Sequence, residues 1–154
     1  WGYTGYFDSP NAHVNAVGDF LLERRHQIKL TGMVKGPWGI NFGTYFRYLS
    51  GERYTRTVSS TYYDIDLNQG PTTVNAETRG SRMLPAIVIL DIKLEKAFKV
   101  GPVNIRAFVD IFNLFNNNKA TTVETMSNHP TLVFEKMTAI QDPRIFRLGA
   151  KVEF

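Results

Sequence analysis

The last eleven residues, Arg144-Ile-Phe-Arg-Leu-Gly-Ala-Lys-Val-Glu-Phe154, alternate in polarity. Phe146, Leu148, Ala150, Val152 and Phe154 fall on one side of an extended chain. Ile145, Arg147, Gly149, Lys151 and Glu153 fall on the other. Successive side chains of a strand point to opposite faces, so this period of two specifies a strand with one apolar and one mostly charged face. A helix would need apolar residues three and four apart.

Four more segments repeat the pattern and predict strands over 25–35, 40–49, 86–98 and 103–115. The apolar side carries Ile28, Leu30, Phe42, Leu90, Ile92, Leu94, Val109, Ile111 and Leu148. The polar side carries Lys29, Arg47, Asp91, Lys93, Glu95, Arg106, Asp110, Arg147 and Lys151. Gly36-Pro37-Trp38-Gly39 and Lys99-Val100-Gly101-Pro102 read as tight turns, each joining an antiparallel hairpin. Centring the first turn on Pro37 pairs Val34 with Ile40 and Leu30 with Thr44. Centring the second between Val100 and Gly101 pairs Phe98 with Val103. It sets Glu95 opposite Arg106, and Leu94, Ile92 and Leu90 opposite Ala107, Val109 and Ile111. Lys96 falls on the apolar face, close enough to a turn to snorkel.

Segments 50–85 and 116–143 read as long polar loops rich in Ser, Thr, Asn, Gly and Pro, and residues 1–24 as the tail of a third. Short turns at one end, long loops at the other, and strands of about ten residues with two unlike faces describe the wall of a transmembrane β-barrel. The expected fold is therefore all-β and antiparallel, with about five strands spanning lipid. Trp38, Phe98 and Phe154 fall at the short-turn end, and Tyr48, Phe112 and Phe115 near the other, where interfacial aromatic girdles belong.

Composition removes several alternatives. No apolar run approaches the roughly 20 residues of a transmembrane helix. Cysteine is absent, which excludes disulfides and thiolate metal sites. The net charge is +4, but the cations are spread over the strands, so nucleic acid is not an expected partner. The chain opens on Trp1 with no secretory signal pattern, so a processed or partial chain is expected.

Little points to catalysis. His13, His26 and His129 lack metal spacing. Asp64-Ile-Asp66 lacks the glycine and distal glutamate of a calcium loop. Asp91, Glu95 and Asp110 could serve a barrel-embedded hydrolase, but opposite signs alternating across strands read better as a charge ladder in a wet lumen. No cofactor and no enzymatic activity are expected. The polar-side cations Lys29, Arg47, Arg106, Arg147 and Lys151 could attract anionic ligands, or pair with acids on neighbouring strands or an internal plug. A different class stays open: a soluble, lectin-like antiparallel β domain with Tyr54, Tyr62 and Tyr63 as a platform.

Several stretches carry a resemblance: Phe7-Asp-Ser-Pro-Asn11, Arg24-Arg-His-Gln-Ile-Lys-Leu-Thr-Gly32, Pro37-Trp-Gly39 followed by Phe46-Arg-Tyr-Leu-Ser-Gly51, Leu90-Asp-Ile-Lys-Leu-Glu-Lys96, Val109-Asp-Ile-Phe-Asn-Leu-Phe-Asn116 and Asp142-Pro-Arg-Ile-Phe-Arg-Leu-Gly149. Together they make residues 1–154 resemble the C-terminal part of a TonB-dependent outer-membrane receptor of the Oar-like group, which carries a carboxypeptidase-regulatory-like domain. The resemblance implies a barrel of about 22 strands that imports a bulky ligand across the bacterial outer membrane. It implies as partners outer-membrane lipid, the rest of the barrel and its plug, the TonB energy-coupling complex and the barrel-assembly machinery. It also implies an assembly signal, polar-x-Gly-x-x-apolar-x-aromatic, matched by Arg147, Gly149, Val152 and Phe154. The family's plug and energy-coupling box have no counterpart in this sequence.

Overall fold

The structure is a computed structural model that describes residues 10–65, 67–68 and 70–153. Eleven strands form among them: β1 (Gln27–Lys35), β2 (Ile40–Leu49), β3 (Arg53–Tyr54), β4 (Thr57–Ser59), β5 (Thr73–Asn75), β6 (Arg82–Met83), β7 (Ile87–Val100), β8 (Val103–Phe112), β9 (Ala120–Val123), β10 (Met137–Ile140) and β11 (Ile145–Glu153). Three short 3-10 turns complete the elements, and no α-helix occurs among the described residues. The fold is all-β and antiparallel.

The chain divides into two compact units. One comprises 26–50, 86–119 and 141–154 and is built on a single five-stranded sheet in the order β1-β2-β7-β8-β11. Every neighbouring pair is antiparallel. The sheet is open, with β1 and β11 as its edges.

The other unit comprises 1–25, 51–85 and 120–140. The segments expected to be loops supply three two-stranded ribbons, β3 with β6, β4 with β5 and β9 with β10. Parallel bridges Gly18–Arg79 and Thr57–Met126 tie its pieces together. Gly51 is required by a close approach: a methyl group there would overlap the Leu84 carbonyl oxygen.

Both faces of the sheet keep their expected membership, but both hairpin registers shift by two residues. Val34 pairs with Phe42 rather than Ile40, and Leu30 with Phe46 rather than Thr44. The cause is the turn. Pro37–Gly39 forms a 3-10 turn with Trp38 left-handed at φ 58°, and the Gly36 N–H donates to the Ile40 carbonyl at 2.7 Å. The centre of the hairpin therefore falls on Trp38.

In the second hairpin Val100 pairs with Val103, and Gly101 at φ 58° makes a two-residue connection with Pro102. Phe98 therefore meets Ile105, Leu94 meets Val109, and Ile92 meets Ile111. Glu95 lies opposite Phe108 and not Arg106, which faces Ala97. A shift of two leaves every side chain on its own face, where a shift of one would have exchanged the faces.

Strand β7 runs two residues beyond its expected end. Strand β1 starts at Gln27, because Arg25 belongs to the other unit and pairs there with Asp19 at 2.9 Å. Strand β8 stops at Phe112 instead of Phe115, because Asn113 turns left-handed at φ 48°. Asn113 is only 4% exposed and fully used. Its N–H donates to Asp91 Oδ1 at 2.8 Å, and its side-chain amide donates to the carbonyls of Asn117 (2.9 Å) and Asp142 (2.7 Å). Its Oδ1 accepts from the Asn117 N–H at 3.1 Å. Asn117 and Gln141 then both donate to the Val88 carbonyl, at 2.9 and 3.2 Å. One asparagine thus joins β7, the end of β8 and the approach to β11.

Burial without these partners would cost about 1–3 kcal/mol per unsatisfied group. Asn113→Gly keeps the left-handed backbone and deletes the amide, whereas Asn113→Ala loses both. Denaturant unfolding of both variants is expected to show a loss of at least ~2 kcal/mol, with Ala the worse. A Gly variant as stable as wild type would mean that only the backbone turn matters.

Candidate functional site: the two faces of the sheet

The register places the expected apolar residues in continuous rows across the strands. Gly32, Thr44, Ile92, Ile111 and Phe146 form one row, and Val34, Phe42, Leu94, Val109 and Leu148 the next. Ile28, Leu30 and Leu90 extend the same face, with Leu30 and Leu90 both opposite Phe46. No layer covers it. Leu30 is 61% exposed and Leu148 77%, and Leu84, Ile87 and Ala120 are the buried hydrophobic residues among those described. Lys96, the one charge on this face, reaches the short-turn end, where its ammonium donates to the Trp38 carbonyl at 2.7 Å. Trp38 stands at that end, 81% exposed, with Phe98 nearby. Phe154 lies outside the described residues, so one aromatic of the expected girdle and one member of the expected assembly signal are not placed.

The opposite face is a set of ion pairs. Arg147 directs Nε and Nη2 at Asp110 Oδ2, at 2.7 and 2.6 Å, with the Asp110 side chain buried and Arg147 outermost. The same guanidinium lies over the Phe112 ring at 5.2 Å. Arg106 meets Glu153 at 3.2 Å, and Lys151 meets the same carboxylate at 2.7 Å. Glu95 accepts from Asn41 at 3.0 Å, with Lys93 at 3.9 Å. Asp91 holds the Asn113 N–H. Asp91 and Asp110 do not face each other across the ladder: Asp110 is opposite Lys93, and each has its own partner. Lys29 and Arg47 stand directly opposite one another. Each remaining expected polar-face charge meets a partner within this unit.

Sequence reasoning missed the reason for Gly149. It lies opposite Phe108, and a methyl group at Gly149 would overlap the Phe108 ring. Lys93 caps that ring at 4.8 Å. Val152 pairs with Ile105 on the apolar face. The Asn113 network was also missed. Its signal was the run Asp110-Ile-Phe-Asn113, a buried acid followed by an asparagine at a strand end.

In the other unit the chemistry is a charge cluster. Arg82 donates to Glu77 at 2.6 Å and to Glu135 at 2.5 Å, and the Tyr54 hydroxyl donates to Glu135 at 2.8 Å. The Arg82 hydrogen bond holds Glu77 below the usual carboxylate range. Those from Tyr54 and then Arg82 do the same for Glu135. Burial, then Glu135, raises the Tyr54 phenol. Tyr54 is thereby committed, while Tyr62 and Tyr63 stay exposed, Tyr62 edge-on to His129 at 4.7 Å. Among the described residues no group of His, Asp and Glu could hold a metal ion.

Two outcomes are expected. Gly149→Ala should destabilise the sheet by about 1–3 kcal/mol, and adding Phe108→Ala should recover part of that loss in a double-mutant cycle of unfolding free energies. Additive losses would remove the packing explanation. Separately, carboxylates held below their unfolded value contribute stability that is complete above that value and is lost as pH falls through the folded one. Proteolysis within 51–85 and 120–140 should therefore be slow at neutral pH and accelerate as pH drops below the ordinary carboxylate value of 4.5. Arg82→Met should flatten that dependence; an unchanged profile would show that the cluster does not order these segments. Comparison with protein-family models, curated proteins and solved structures finds no match to this chain.

Proposed function

We propose that this chain forms part of the wall of an outer-membrane transporter barrel of the TonB-dependent receptor type. In this reading β1, β2, β7, β8 and β11 cross the bilayer with Ile28, Leu30, Phe42, Leu90, Ile92, Leu94, Val109, Ile111 and Leu148 toward lipid. The charge ladder from Lys29 to Lys151 faces a water-filled lumen. The observation that carries the reading is the apolar face, which crosses all five strands with Lys96 as its one charge and, among the described residues, has no layer over it. Exposed contiguous apolar surface on this scale marks contact with membrane or another large apolar body.

Strand length agrees, since β1, β2, β8 and β11 have 9 or 10 residues and β7 has 14. About 9–11 residues span the hydrocarbon when tilted. The two free edges require partner strands, because unpaired backbone groups are not tolerated in lipid. The complete barrel, its plug and the energy-coupling partner supply the import of a bulky ligand. The chain's own part is to shape the lumen and hold it wet.

In the assembled barrel Ile92→Lys is expected to cost about 2–4 kcal/mol near the bilayer midplane, and Lys93→Gln much less. Folding titrations into lipid vesicles measure both. Equal costs, or a larger one at Lys93, would mean that the faces or the environment are assigned wrongly. A monodisperse, detergent-free monomer with a cooperative melt would favour the soluble β domain with its exposed Tyr62 and Tyr63.

A further inference from the structure

We propose that Lys29 and Arg47 form a binding site for an oxyanion, the carboxylate or phosphate group of a small ligand, on the polar face of β1 and β2. The two cations are register partners on adjacent strands. Side chains directly opposite on one face of an antiparallel pair are close neighbours, and like charges there repel. The rest of the polar face avoids this: Asp110 receives Arg147, Glu153 receives Arg106 and Lys151, and Glu95 receives Asn41 and Lys93. At Lys29 and Arg47 the next residue across the ladder is Ile89, and no acid fills the row. The nearest acid by register, Asp91, spends Oδ1 on the Asn113 N–H. Arg47 Nε is buried and has no hydrogen-bond partner among the described residues.

The surroundings suit a small anionic ligand. One register step away lie Thr31 and Tyr45, whose hydroxyls face the same side. Beyond them Gly43 contributes no side chain, and the polar face opens beside the pair into a hollow of about 350 Å³ lined by Thr31, Gly43, Tyr45 and Lys93, and also by Asp91 and Asp110, whose carboxylates are already engaged by the Asn113 N–H and by Arg147. A guanidinium offers a planar fork that matches two oxygens of a carboxylate or phosphate, and the lysine adds a point charge. An oxyanion held between the Lys29 ammonium and the Arg47 guanidinium would cancel the repulsion, while hydroxyl-rich parts of the ligand could rest in the neighbouring hollow.

The test uses the folded full chain in whichever medium holds it, its β1–β2 ladder verified by amide NMR. Inorganic phosphate and acetate are titrated separately at constant ionic strength. Saturable binding of either, with shifts centred on residues 29, 31, 45 and 47, is expected, and the tighter of the two identifies the group. Arg47→Gln should weaken it about tenfold or more, the scale of one charge-assisted hydrogen bond. Arg47→Lys should retain part of it, and Lys99→Gln on the same face should leave it unchanged. Linear, unsaturated shifts, or equal loss in the Lys99 variant, would overturn the site and leave diffuse charge attraction. Should Arg47→Gln perturb the ladder, Lys29→Gln carries the same prediction, with about a threefold loss. Because binding is read on the folded sheet, its failure leaves the assignment of the lipid face standing, and failure of that assignment leaves the site standing.

Discussion

Backbone pairing in a fixed register is the interaction on which everything else in the sheet depends. Each strand carries two unlike sets of side chains, and only the hydrogen-bonded ladder keeps five such sets in phase. Once in phase, Val34, Phe42, Leu94, Val109 and Leu148 become a row, and Met33, Gly43, Lys93, Asp110 and Arg147 become the row on the reverse side. The sheet has no interior of its own. Cohesion comes from the ladder and from ion pairs on one face, while the apolar rows of the other stand exposed.

Much of this was legible in the sequence, and the reason is periodicity. The strand around Ile40 to Leu49 was delimited exactly by alternation and a turn, and the two faces followed from odd and even positions. What alternation cannot supply is the absolute register, because a shift of two residues preserves every face. The information sat instead in turn geometry: Trp38 adopting a left-handed conformation, and Gly101 permitting a two-residue connection. The ion-pair partners moved with the register, so Arg106 serves Glu153 and not Glu95. The end of β8 at Phe112 is likewise invisible to alternation. Leu114 and Phe115 continue the hydrophobic run, but Asn113 turns left-handed and makes four hydrogen bonds there, to Asp91, Asn117 and Asp142.

The segments between the long strands were the least legible. They read as polar and irregular because their strands are two to four residues long, too short for any periodic signal. Their order comes from contacts distant in sequence. Arg82 draws together Glu77 and Glu135, and Asn128 and Ser59 exchange hydrogen bonds between backbone and side chain at 2.9 and 2.7 Å. Charge pairs and side-chain-to-backbone hydrogen bonds gather these pieces around the buried Leu84 and Ala120.

The Phe108 ring over Gly149 also acts as a vernier for the last strand. Only one residue in β11 lacks a side chain, and only the observed pairing brings it beneath the ring. A slip of two residues, which alternation alone would permit, would drive Arg147 or Lys151 into that space. The pairing of β11 is therefore checked twice: the ladder rejects odd slips by exchanging the faces, and the aromatic ring rejects even ones by collision.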